Sequence, residues 1–254
     1  MMNKSIRMGW ILAFCLAFPL TGLGYNGLTP VKEINVPAKT FSLQDPYLFV
    51  GGSTQATIFN ISDPANPVII SQIPTSVPVM SILAVGDRAF LGLDTANEEN
   101  LMIVDISTIS QPKILDTRFA GPAGNVPTVL HAVGRTIYIG LSNDGLNVIR
   151  LNEDNTLAQL DTLELGWFIT DLKSTGNRLY AASWDFAIFI VDISDPTSLS
   201  LVNTVYTDDF NNGMDIDKSL LAVAEGQRGI SFYNIGNPDD PQLIRTVSVG
   251  QNES

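Results

Sequence analysis

The sequence predicts an all-β chain folded as a β-propeller of about five four-stranded blades. Three observations carry that expectation: a motif that recurs five times, four short apolar runs within each recurrence, and strands whose apolar residues run almost without interruption.

The motif is plainest where an apolar run meets a polar residue and a turn. Ile58 to Pro64 reads IFNISDP, and its relatives are Met102 to Ser107 (MIVDIS), Val148 to Asn152 (VIRLN), Phe189 to Pro196 (FIVDISDP) and Ser231 to Pro238 (SFYNIGNP). Asn60, Asp105, Arg150, Asp192 and Asn234 then align at spacings of 45, 45, 42 and 42 residues. A period of about 40–45 residues is the length of one propeller blade. The repeats run over about 41–76, 77–120, 121–165, 166–207 and 208–250, within a propeller domain of 41–254.

Each repeat divides into four strands, a to d. In the second they are Val79 to Val85, Ala89 to Leu93, Leu101 to Ile106 and Lys113 to Phe119. Gly86-Asp87, Gly134-Arg135 and Gly176-Asn177 separate a from b, as expected where a tight hairpin needs positive φ. Pro67, Pro112 and Pro241 open strand d, where a missing backbone donor is tolerated at a strand's first residue or on an edge. Strands b and c, as in Thr136 to Ile139 and Ile188 to Val191, are nearly continuous apolar runs, so both of their faces need cover. Stacked blades supply it, whereas a sandwich leaves one face of each sheet wet and shows cleaner alternation.

Leu101-Met102-Ile103-Val104-Asp105 and Ile188-Phe189-Ile190-Val191-Asp192 resemble the name-giving motif of the LVIVD repeat family, and the resemblance spans about residues 41 to 249. It implies a bacterial exported or surface propeller, of a kind mostly without assigned chemistry. Arg150 replaces the motif's acid in the third copy, so the motif aspartates are expected to serve local turn hydrogen bonds and not a shared active site.

Two segments precede the repeats. Residues 1–24 read as a secretory signal peptide: Lys4 and Arg7, an apolar run from Met8 to Leu20, then Gly22 and Gly24 at cleavage-like spacing. The run is shorter than the roughly 20 residues that span a bilayer. The expected destination is therefore export, to the periplasm, cell surface or extracellular space, with no membrane span once the signal is removed. Residues 25–40 form an extra segment in which Thr29 to Val36 looks like a strand d, capping or surplus to the first blade. Pro241 to Val249 also reads as a strand d, which leaves open how the ring closes and whether copies pair.

Charge narrows the partners. Removing residues 1–24 leaves 12 basic and 26 acidic residues, a net charge of −14, with no cysteine. No cluster of Lys and Arg provides the footprint that nucleic acid requires.

In such a meander the b–c and d–a loops share one face of the ring, and rigid scaffolds concentrate function in loops. There the fourth repeat presents Trp167 and Phe168 before strand a and Trp184, Asp185 and Phe186 in its b–c turn, while the fifth adds Asp208, Asp209 and Phe210. Rings supply contact area and Asp fixes orientation, so these eight residues form the expected ligand site. Strand a also carries Ser42, Ser81, Asp171 and Asp215 toward the presumed channel, read as corresponding positions, where Asp171 and Asp215 are candidate calcium ligands. No cofactor is otherwise expected.

Enzyme signatures are scarce: one histidine, His131, no Gly-x-Ser-x-Gly elbow, no phosphate loop and no His-Glu-x-x-His pair. The expected function is an exported binding or scaffold propeller that recognises a protein or glycan through the b–c and d–a loop face. Two alternatives stand beside it, a carboxylate glycoside hydrolase using Asp185 with Asp208 or Asp209, and a purely structural surface protein.

Overall fold

The computed structural model describes residues 31–248, apart from 97 and 155. The segment expected to be a signal peptide lies outside the described residues. Among those described, no helix is long and apolar enough to cross a membrane.

Among the described residues twenty strands form five four-stranded sheets, each an antiparallel meander in chain order. The first blade comprises β1 (Thr40–Gln44), β2 (Tyr47–Gly51), β3 (Gln55–Asn60) and β4 (Val68–Pro74). The second comprises β5 (Val79–Val85), β6 (Arg88–Leu93), β7 (Leu101–Asp105) and β8 (Lys113–Arg118). The third comprises β9 (Pro127–Val133), β10 (Thr136–Leu141), β11 (Gly145–Leu151) and β12 (Leu157–Glu164). The fourth comprises β13 (Ile169–Thr175), β14 (Arg178–Ser183), β15 (Ala187–Asp192) and β16 (Ser200–Tyr206). The fifth comprises β17 (Asn211–Asp217), β18 (Leu220–Glu225), β19 (Gly229–Asn234) and β20 (Gln242–Val247). Each sequence repeat is thus one blade. Of the expected extra segment, residues 25–30 lie outside the described residues; residues 31–39 join no sheet, and Lys39 N–H donating to Gly51 O at 2.8 Å leads the chain into β1.

Local chemistry sets the hairpins. Gly86, Gly134 and Gly176 take φ of 55°, 60° and 54° in two-residue a–b turns, the conformation that favours glycine. The fifth blade places Lys218 there at φ 54°, and the first turns through Asp45–Pro46. After strand c, the Oδ1 atoms of Asn60, Asp105, Asp192 and Asn234 accept the N–H groups of Ser62, Ser107, Ser194 and Gly236 at 2.8–2.9 Å. The motif's polar residue therefore builds an Asx turn, a role that Asp and Asn fill equally.

The core lies between blades. Four apolar clusters join blades one and two, two and three, three and four, and four and five. At each junction an aromatic residue of strand b in the leading blade shares a cluster with an aliphatic residue of strand a in the next. The pairs are Phe49 with Ile82, Phe90 with Leu130, Tyr138 with Leu172, and Tyr180 with Met214. Glycine admits the close approach of blades: a Cβ on Gly92 would lie 2.8 Å from Pro127 O, and one on Gly140 would lie 2.8 Å from Ile169 Cγ2. Strand β1 packs on β5, β5 on β9, β9 on β13 and β13 on β17, but β17 does not pack on β1 in this way. The five described blades therefore form an arc whose two ends do not pack on each other.

Candidate functional site

The strongest feature lies on the b–c and d–a loop face where the fourth blade meets the fifth. Ser183 pairs with Ala187, leaving Trp184, Asp185 and Phe186 as a three-residue turn. Such a turn commonly places its last loop residue in the left-handed region, where glycine is favoured. Here that residue is Phe186, at φ 64°. For a bulky side chain this backbone is strained, and 47% of Phe186 is exposed.

Three segments converge on the turn. Trp184 N–H donates to Phe168 O at 3.0 Å, and Thr207 N–H donates to Phe186 O at 2.9 Å. Asn211, fully buried, donates through Nδ2 to Ser183 O, Ala187 O and Thr207 Oγ1 at 3.0–3.1 Å. The Trp184 and Phe210 rings stack with centroids 4.5 Å apart and planes at 18°. Trp167 and Tyr206 reach solvent at 43% and 80% exposure, while Phe168 is half-buried. The loops thus hold five sequence-predicted aromatic residues at one junction. Tyr206 was missed by sequence reasoning because it closes a strand d whose alternation gives no hint that its ring stands free.

The carboxylates divide by role. Asp208 forms an ion pair with Arg228. Asp209 braces the b–c turn of the fifth blade: its carboxylate accepts Phe210 N–H at 2.9 Å and Gln227 N–H at 2.8 Å. Asp185 is half-buried, and its N–H donates to Ser183 Oγ at 3.0 Å. Beside them Glu225 is buried and accepts the Tyr233 hydroxyl at 3.1 Å, with Arg228 Nε 3.9 Å away. Burial, reinforced by the Glu225 charge, holds the Tyr233 phenol protonated well above its ordinary range. A recess of about 160 Å³ opens here, lined by Tyr206, Asp208, Glu225, Arg228 and Tyr233 among others.

The inner strands correct the expected carboxylate pair. Ser42 and Asp215 stand opposite Phe49 and Ala222, but Ser81 and Asp171 stand opposite Gly92 and Ala182, a different level of the sheet. Asp171 and Asp215 therefore do not occupy corresponding positions. The Asp171 carboxylate faces the next blade, accepting Met214 N–H at 2.7 Å and Leu172 N–H at 2.8 Å, with Lys173 Nζ at 3.4 Å. Burial pushes its pKa up despite those partners. Asp215 is exposed and accepts Ile216 N–H at 3.0 Å. Among the described residues no three His, Cys, Asp or Glu side chains gather into a metal-holding group. His131 also bridges blades, with Nε2 2.8 Å from Ser174 Oγ. Burial, aided by the Lys173 charge, lowers its pKa to about 4. It is a neutral structural imidazole at neutral pH.

Five radially stacked four-stranded meanders of this kind define a β-propeller protein. The chain resembles the computationally designed Ika8 protein at 13% identity and a TM-score of 0.64, over 83% of this chain and 61% of that one. It also resembles a protein of unknown function from Desulfotomaculum acetoxidans DSM 771 at 14% identity and 0.70, over 85% and 72%. The WD40 repeats of RRP9 match at 9% identity and 0.65, over 84% and 66%. The chain thus spans less than two thirds of two of these three structures. More particularly, it carries LVIVD repeats: the model of that repeat matches residues 38–75, 80–117 and 170–207. Those segments are the first, second and fourth blades; the third, which carries Arg150, and the fifth are unmatched. No curated protein matches the chain.

Proposed function

We propose that this chain is an exported binding propeller that takes a protein or glycan ligand on the loop face between its fourth and fifth blades. The observation that carries the reading is Phe186, held exposed in a backbone conformation that burial in a core does not explain. Strain of this kind, about 1–3 kcal/mol, persists where the surroundings enforce it, and it clusters at binding sites. Trp167, Tyr206 and the Trp184–Phe210 stack extend the same aromatic surface. Exposed rings with Asp185 beside them favour sugar faces or apolar peptide side chains over an ion or a phosphate.

The recesses support an extended ligand over a small enclosed one: about 160 Å³ beside the aromatic surface, and an open groove of about 420 Å³ on the opposite face near Arg178 and Lys218. The hydrolase alternative draws no support from Asp208 or Asp209, whose carboxylates are engaged by Arg228 and by backbone N–H groups. Export rests on the basic and then apolar run at residues 4–20.

Intrinsic fluorescence tests the reading, because Trp10, Trp167 and Trp184 are the only tryptophans and Trp10 belongs to the expected signal. A saturable emission change on titrating glycans or peptides, removed by Trp184→Phe, is the expected result, and the responding panel distinguishes the two ligand classes. A flat response to both overturns the site.

A further inference from the structure

The two ends of the arc are halves of one repeated interface. Along the a strands, Phe41, Ile82, Leu130, Leu172 and Met214 hold equivalent positions, opposite Val50, Leu91, Ile139, Ala181 and Val223. The last four of these a-strand residues are 1–8% exposed, buried by the preceding blade, whereas Phe41 is 67% exposed and Leu43 beside it 60%. Further out on the same face Val50 and Phe59 are already buried, so the open part is the inner rim.

The other end is the mirror case. Phe49, Phe90, Tyr138 and Tyr180 are 0–2% exposed against the following blade, and the equivalent residue of the fifth blade is Ala222, which is half-buried. Ala224 and Leu220 on that face are exposed, and Ile230 and Phe232 are half-buried where their equivalents in the first four blades are covered. Asp215 stands at the position from which Ser42 Oγ accepts the N–H of Ala84 in the next blade at 3.0 Å, and among the described residues no blade lies beyond it.

Side-chain volume pairs the two ends. Every internal junction sets one aromatic residue on strand b against one aliphatic residue on strand a. At the open ends the assignment is reversed: the large ring, Phe41, is on strand a, and the small residue, Ala222, is on strand b. Set against each other they restore one ring per junction, and the Leu43 N–H, equivalent to that of Ala84, meets the Asp215 carboxylate. We infer that the forward face of the fifth blade docks on the backward inner rim of the first blade of a second copy, continuing the blade-to-blade interface between chains. The contact is heterologous, so copies join head to tail into a ring or a longer chain.

Sedimentation of the full chain over a wide concentration range tests this. The expected result is a mass of two or more copies, reduced to one by Phe41→Asp and by Ala222→Phe, and restored when Phe41→Ala is combined with Ala222→Phe. Circular dichroism reports whether each variant is folded. If a single variant is not, the pair Phe41→Cys with Ala222→Cys, in a Cys15→Ser background, reads the same contact as an interchain disulfide. A monomer at every concentration, an oligomer untouched by both single variants, or a disulfide formed only within one chain overturns the inference.

Discussion

The carboxylate of Asp171 accepts the N–H of Met214 at 2.7 Å, a hydrogen bond that crosses from the innermost strand of the fourth blade to that of the fifth. Its counterparts run along the arc: Ser81 Oγ donates to Pro127 O at 2.8 Å, Thr128 Oγ1 to Ile169 O, and the Ala84 N–H to Ser42 Oγ. Apolar packing is not directional, so these bonds fix the register at which one blade meets the next.

Replacing Asp171 with Ala is therefore expected to destabilise the protein by about 1–3 kcal/mol, because the Met214 N–H is left without its acceptor in a buried place. Urea unfolding checks this, and Asp171→Asn, which keeps one acceptor oxygen, should lose less.

His131 gives stability a pH dependence of definite sign. Its pKa falls from about 6.5 unfolded to about 4 folded, so between these values the unfolded chain binds the extra proton. Stability from this group is intact above pH 6.5, declines as pH falls toward 4 and levels off below. The full loss is at most about 3 kcal/mol. Asp171, whose pKa burial raises, works in the opposite direction. The comparison to make is thus wild type against His131→Gln, and the variant should show the shallower decline.

Two glycines should respond differently to added side chains. At Gly92 a Cβ would meet Pro127 O at 2.8 Å, so Gly92→Val forces the second and third blades apart at a cost of about 1–3 kcal/mol or more. At Gly86 nothing lies within 4 Å, and Gly86→Ala carries only the penalty of φ +55°, about 1 kcal/mol. Chemical denaturation of both variants separates crowding from backbone strain.

Phe186→Gly should invert the usual result of deleting a large apolar side chain. Relief of the left-handed backbone, worth about 1–2 kcal/mol, offsets the loss of a ring that is already half in solvent. The melting temperature is expected to hold or rise while the ligand response is lost. A clear drop in melting temperature would count against Phe186 as a strained binding residue.

Much of this was legible in the sequence because the signals are local. Two-residue turns at Gly86, Gly134 and Gly176, and Asx turns after Asn60, Asp105, Asp192 and Asn234, mark strand ends within a few residues. The aromatic residues Trp167, Trp184, Phe186 and Phe210 fell together because they occupy loops of one face. What was not legible depends on register. Counted back from the a–b turn, Ser81 and Asp171 lie two residues deeper in strand a than Ser42 and Asp215, so alignment by residue type put them level. Residues 31–39 lie in a stretch with the composition of a strand, but no sheet edge receives them. The open end likewise leaves only a faint trace, an alanine at 222 where four blades have a ring.

An arrangement in which each sheet touches only its neighbours behaves as a one-dimensional lattice. Within a single undocked copy every internal blade is held from two sides and each terminal blade from one, so cooperativity has direction: disorder enters at the ends and propagates inward. Backbone amides of the third blade should be the last to exchange with solvent and those of the fifth among the first. The aromatic loops lie one boundary in from that fraying end, so a ligand bridging the fourth and fifth blades would act as a clasp, slowing exchange throughout the last sheet without touching most of it.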